Sequence, residues 1–158
     1  MKISKVLLAS LIGTSFMTLY SYYVSKKEKQ EFTEPILLNK LIDRSENLPE
    51  IEDDEKDTHP AGWLLHYGSG VLFVLCYYFL YKRALKSPSI IKGLLAGAAS
   101  GLLGIAVWQI MFSSNTNPPK NNRYRYYRQL FIAHIIFSTL AIYGYKLPEY
   151  IKGKKLSL

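Results

Sequence analysis

One cysteine, Cys76, stands in a chain of 158 residues. That excludes an internal disulfide framework and any metal site built from several thiolates. No glycine-rich phosphate loop, nucleophile elbow or internal repeat is present. Charge is scarce as well, at 20% of residues against 49% hydrophobic, yet mean hydropathy is only +0.01. The average hides a segregation: the charges fall in blocks and leave four apolar stretches almost bare. Such stretches are characteristic of membrane spans, so an ordinary soluble enzyme is not expected.

The stretches cover residues 6–24, 61–81, 93–112 and 129–145. A helix rises about 1.5 Å per residue and the hydrocarbon core is roughly 30 Å thick, so about 20 residues suffice to cross. The last stretch is the short one. Continuous apolar runs predict helices and not barrel strands, which alternate and are half as long. The first stretch follows Lys2 and Lys5, as in a signal peptide, but Tyr20, Tyr22 and Tyr23 crowd the place where small residues would define cleavage. A retained anchor is expected.

The segment 25–60 is the one long loop. Thr33, Glu34 and Pro35 read as a helix start, and Leu37, Leu38, Leu41 and Ile42 form one stripe. An amphipathic helix over about 34–46 is expected, lying on the bilayer or on the bundle. Six acids then fall between Glu50 and Asp57, where spaced oxygen ligands and a turn glycine for calcium are missing, so a solvated linker is expected. The fold class is therefore all-α, a four-span bundle with a short amphipathic helix in the first loop.

Orientation is poorly determined by charge. The twenty cations divide evenly between the two faces, while eleven of the twelve acids lie in the first loop. Acids count for little in orientation, and termini in the cytoplasm are expected on their account alone. The net charge of +8 sits beside spans, where it suits lipid headgroups better than nucleic acid. The run Arg123, Tyr124, Arg125, Tyr126, Tyr127, Arg128 reads in the same way, as an interfacial belt and not as a stacking platform for bases.

Two features within the spans carry more. Gly93, Gly97 and Gly101 recur every four residues on the third span, a ridge that lets another helix come close. Ser10, Thr14 and Thr18 form a small polar ridge on the first span, the expected partner, with a second copy of the chain as the alternative. His66 and His134 each lie five residues inside a span that enters from the acidic-loop face. Gln109, Tyr20 and Ser21 reach the same depth from the other spans, so one polar layer is expected. Neutral histidines bonding across helices are the plainest reading of it. A proton- or solute-handling site and a haem held between the two imidazoles are the alternatives. His59 precedes the second span and reads as a solvated cap beside Pro60.

The runs His66-Tyr67-Gly68, Lys92-Gly93-Leu94-Leu95-Ala96-Gly97-Ala98, Pro118-Pro119 and Phe131-Ile132-Ala133-His134 resemble the YagU-like family of small bacterial inner-membrane proteins. The resemblance spans roughly residues 61–145 and leaves out the amphipathic helix and the acidic run. It implies a multi-pass protein of the bacterial inner membrane, with His66 and His134 at the family's two histidine positions. No reaction is established for that family, so it implies no substrate. A non-enzymatic membrane protein of structural or envelope role is the expected function, with no required cofactor and the lipid bilayer as partner.

Overall fold

The computed structural model describes residues 2–44 and 60–155. The acidic run, His59 and the last two residues of the expected amphipathic helix lie outside them. Six helices follow in order: α1 (Ile3–Glu28), α2 (Glu34–Asp43), α3 (Pro60–Leu80), α4 (Lys82–Lys86), α5 (Ile90–Ser114) and α6 (Arg123–Lys155). No strand occurs among the described residues. The fold is all-α, and α1, α3, α5 and α6 are each long and apolar enough to cross a membrane. Their outer faces carry exposed Leu64, Leu80, Leu95, Leu102 and Ile110. A soluble bundle would turn such side chains inward, whereas hydrocarbon accepts them.

The central helix is α6, with α1 on one side and α5 on the other; α3 packs on α1, and α2 on α3. The ridge of α5 meets α6 and not α1, which corrects the expected pairing. A β-carbon on Gly97 would stand 2.5 Å from the Ile135 Cα, and one on Gly93 2.8 Å from the Thr139 Cα. Gly101 lies against Phe131. Glycine leaves a groove, and Phe131, Ile135 and Thr139 have the bulk to fill it, whereas a second ridge of small residues would leave voids. Within the chain the ridge is covered by α6.

The hydroxyl ridge of α1 turns elsewhere. Thr14 lies against Gly70, where a β-carbon would come within 2.1 Å of its Oγ1, and Thr18 reaches His66. Ser10 is buried and donates to the Leu7 carbonyl of its own helix. The His66 ring of α3 gives Thr18 a cross-helix hydrogen-bond partner that the glycines of α5 do not offer.

Two further differences concern helix ends. The fourth span extends beyond the 17-residue apolar run expected for it, because the Arg–Tyr segment forms the first two turns of α6. That segment is not simply interfacial. Tyr126 is fully buried among Phe32, Trp108 and Phe112, since it shares a face with Leu130 and Ala133. Arg123 sits 3.4 Å over the Phe112 ring and donates to the Pro119 carbonyl, which ties down the turn before α6. The other is α4, a short helix in the connection between the second and third spans; it buries Ala84 and Leu85 and contacts α6.

Helix α2 lies on the bundle. It comes so close to α3 that a β-carbon on Gly62 would stand 2.2 Å from the Pro35 carbonyl oxygen. Asn39 accepts the Gly62 N–H at 2.7 Å, serving one of the donors that a helix start leaves open. At the far end of α2, Asn115 after α5 donates to the Leu41 carbonyl. Thus α2 spans the ends of α3 and α5 on the loop face.

Candidate functional site

Between α3 and α5 lies a cavity of about 410 Å³. Leu65, Leu72, Phe73 and Cys76 of α3 face Leu103, Val107 and Met111 of α5 across it. His134 and Phe137 of α6 and Thr14 and Met17 of α1 line it as well, and Glu34 and Leu38 contribute from α2. Among the described residues no lysine or arginine lines it. The cavity exists because α5 is drawn onto α6 by its glycines while α3 is drawn onto α1 by hydroxyl bonds.

Both intramembrane histidines are buried and line this cavity. Thr18 donates its hydroxyl to the Thr14 carbonyl at 2.8 Å, so the 2.9 Å contact with His66 Nε2 uses a Thr18 lone pair. Nε2 of His66 therefore carries the proton and Nδ1 is an acceptor. In His134 the arrangement is reversed. Its Nδ1 donates to the Leu130 carbonyl at 2.9 Å, which leaves Nε2 as the acceptor, over Gly104. A β-carbon at Gly104 would stand 2.8 Å from that nitrogen, and Phe73 meets the ring edge-on at 5.5 Å between centroids.

The rest of the expected layer does not assemble around the histidines. Gln109 is exposed, because Gly101, Gly104 and Trp108 take the inward face of α5 and the next residue is turned about 100° away. Tyr20 is half-buried between α1 and α6, in a separate recess shared with Arg128. Ser21 is buried but serves a second cluster, donating to Glu34 Oε1 at 2.8 Å and accepting from Gln129 Nε2. Gln129 Nε2 also approaches Glu34 Oε1 at 3.4 Å.

Glu34 is the residue that sequence reasoning missed. It was taken as part of a helix start, yet Glu34, Leu37, Leu38 and Leu41 follow the spacing of a single helix face. That placed a carboxyl on the apolar stripe, which was the available signal. The side chain is fully buried, and burial pushes its carboxyl up to about 7 against the partial relief given by its own backbone, Ser21 and Gln129. Glu34 Oε2, Gln129 Oε1, Tyr126 Oη and Thr14 Oγ1 are buried with no hydrogen-bond partner among the described residues. Among the described residues no group of three or more histidine, cysteine or acidic side chains is placed to hold a metal ion.

The site is thus an apolar chamber with a few polar groups set into its inner wall. Such a chamber can enclose a small molecule of largely apolar body and fix its orientation at one end. Compared with known proteins, the chain matches no family model, no curated protein and no solved structure, so nothing there identifies the YagU-like family.

Proposed function

We propose that this is a non-enzymatic multi-pass membrane protein that receives a membrane-borne small molecule in the chamber between α3 and α5. One observation carries the reading: two spans held apart around a chamber of about 410 Å³ whose walls are apolar and whose polar groups gather on the inner side. Placement in the bacterial inner membrane with cytoplasmic termini belongs to the same proposal, supported by the apolar spans, the acidic first loop and the YagU-like resemblance.

A haem between the two imidazoles is less well supported. Axial ligation would use the unengaged nitrogen of each ring, Nδ1 of His66 and Nε2 of His134, and the latter is packed over Gly104, where an added β-carbon would stand 2.8 Å from it. An absorption spectrum of the purified protein tests that alternative directly, through the presence of a Soret band.

The chamber reading is tested by native mass spectrometry of protein extracted gently from its own membrane. The wild type should carry a releasable small-molecule adduct. Val107→Trp, which fills the chamber from α5, should lose that adduct while its melting temperature stays within a few degrees. An empty wild type, or an adduct retained by Val107→Trp, would overturn the proposal.

A further inference from the structure

Several polar groups of the chamber are acceptors, beside donors such as the Trp108 N–H and the Thr14 hydroxyl. His66 spends its N–H on Thr18 and His134 spends its N–H on Leu130, so each ring keeps only a lone pair to offer. Glu34 has Oε2 without a hydrogen-bond partner among the described residues. Thr14 Oγ1, also without a partner, is the hydroxyl among them. Among the described residues no lysine or arginine lines the chamber to answer the carboxyl. A binding site is read from what it lacks, and the described lining of this one lacks positive charge.

We propose that the occupant is an organic ammonium ion, an apolar body with an N–H-bearing head, and that Glu34 is the residue that takes up its charge. The inference rests on the reading that the chamber holds a membrane-borne molecule and names its class. An anionic head would meet the histidine lone pairs and the Glu34 carboxyl with no described cation to answer it, and a wholly apolar molecule would leave Glu34 Oε2 buried without a partner.

Docking then exchanges charge for charge. With no cation present, the buried carboxyl holds its proton near neutral pH, because α1 and α6 supply only hydroxyls and an amide against it. An arriving ammonium favours the carboxylate. The carboxyl O–H gives up its proton to solvent, the ion pair forms, and no bond within the ligand breaks. One positive charge enters for each proton that leaves. The other titratable groups facing this end are Glu31 of the same segment, Tyr126 of α6 and, across the chamber, His66 and His134. None of these is a fixed cation that would compete with the ligand.

The full chain in lipid nanodiscs is titrated calorimetrically with 1-naphthylmethylammonium and with the neutral 1-naphthylmethanol, empty nanodiscs serving as blank. The alcohol retains the ring system and a donor but carries no charge. Wild type should prefer the ammonium by about tenfold or more, and Glu34→Gln should abolish the preference while still binding the alcohol. Titration of wild type in two buffers of different ionisation enthalpy should show close to one proton released per ammonium bound below pH 7, a readout that does not depend on the variant folding. Equal affinities, or a preference that survives Glu34→Gln, would overturn the ammonium assignment and leave the chamber reading standing. Binding of neither probe would overturn both.

Discussion

Thr18 and His66 join α1 to α3 through a relay in which one hydroxyl donates along its own helix and accepts from the neighbouring one. The relay fixes the imidazole tautomer, since the hydroxyl has a single proton and the Thr14 carbonyl receives it.

Thr18→Val keeps the shape and removes both bonds, leaving a buried N–H unpaired. The expected cost is about 1 kcal/mol in detergent unfolding, the scale of interhelical hydrogen bonds in membranes. Thr18→Ser should recover most of it. If valine and serine behave alike, the contact contributes packing and nothing more.

The glycine ridge should respond to substitution by position. Gly97→Leu forces side-chain atoms into the backbone of Ile135 and should lower the melting temperature strongly, by several degrees or more. Gly68, with nothing within 4 Å of an added β-carbon, serves as the control. Gly68→Leu on the exposed face of α3 should melt like wild type. A similar loss in both would indicate a general intolerance of bulk in these spans.

Much of the architecture was legible because it rests on local composition. A helix long enough to cross the bilayer needs only an uncharged run, and a close helix contact needs only small residues in register. The partner of the ridge was illegible: glycine states that a helix approaches and says nothing of which one. Phe131, Ile135 and Thr139 could be matched to it only once the antiparallel register of α5 and α6 was known. Depth along a span was likewise a poor guide to neighbours. Gln109 shares the depth assigned to the histidines but lies on the wrong side of its helix, whereas Glu34 enters the chamber from a helix that does not cross at all.

Glu34 gives the fold a pH dependence of definite sign. Its carboxyl titrates at about 7 when folded and near 4.5 otherwise, so the folded chain holds more protons between those values. The contribution is complete below about 4.5 and is lost as pH rises through about 7, amounting to at most about 3 kcal/mol. Unfolding midpoints measured from pH 4.5 to 8 should fall more in wild type than in Glu34→Gln. The difference between the two curves isolates this carboxyl from the histidines, and a flat difference would refute it.

Topology is tested from the two ends of the chain. Lys5 pairs with Glu149 and lies over Tyr145, so the start of α1 and the end of α6 share one face. Reporter fusions after Lys56 and at the C-terminus should report opposite sides of the membrane, the C-terminal fusion being cytoplasmic. Fusions reporting the same side would mean that the chain crosses an even number of times between them, so that one of α3, α5 and α6 does not span.

The docking of α2 decides whether Glu34 stays buried, and Asn39 is where that docking is most exposed to test. Its Oδ1 accepts from Gly62 near the start of α3, a donor with no place in the helix's own ladder. Asn39→Ala should strand that donor at a cost of about 1–2 kcal/mol, borne locally by the contact between α2 and α3. Gly62→Ala attacks the same contact from the other side, by placing a methyl group where the Pro35 carbonyl and the Asn39 side chain now meet. Both variants should raise amide exchange across residues 34–43 while the four long helices remain protected. Both should also flatten the pH dependence assigned to Glu34, because a loosened α2 returns that carboxyl to water and to its ordinary titration. Faster exchange in α2 with an unchanged pH profile would show that Ser21 and Gln129 hold Glu34 without help from α3. Unchanged exchange in both variants would show that apolar contacts of Leu37 and Leu41 hold the helix.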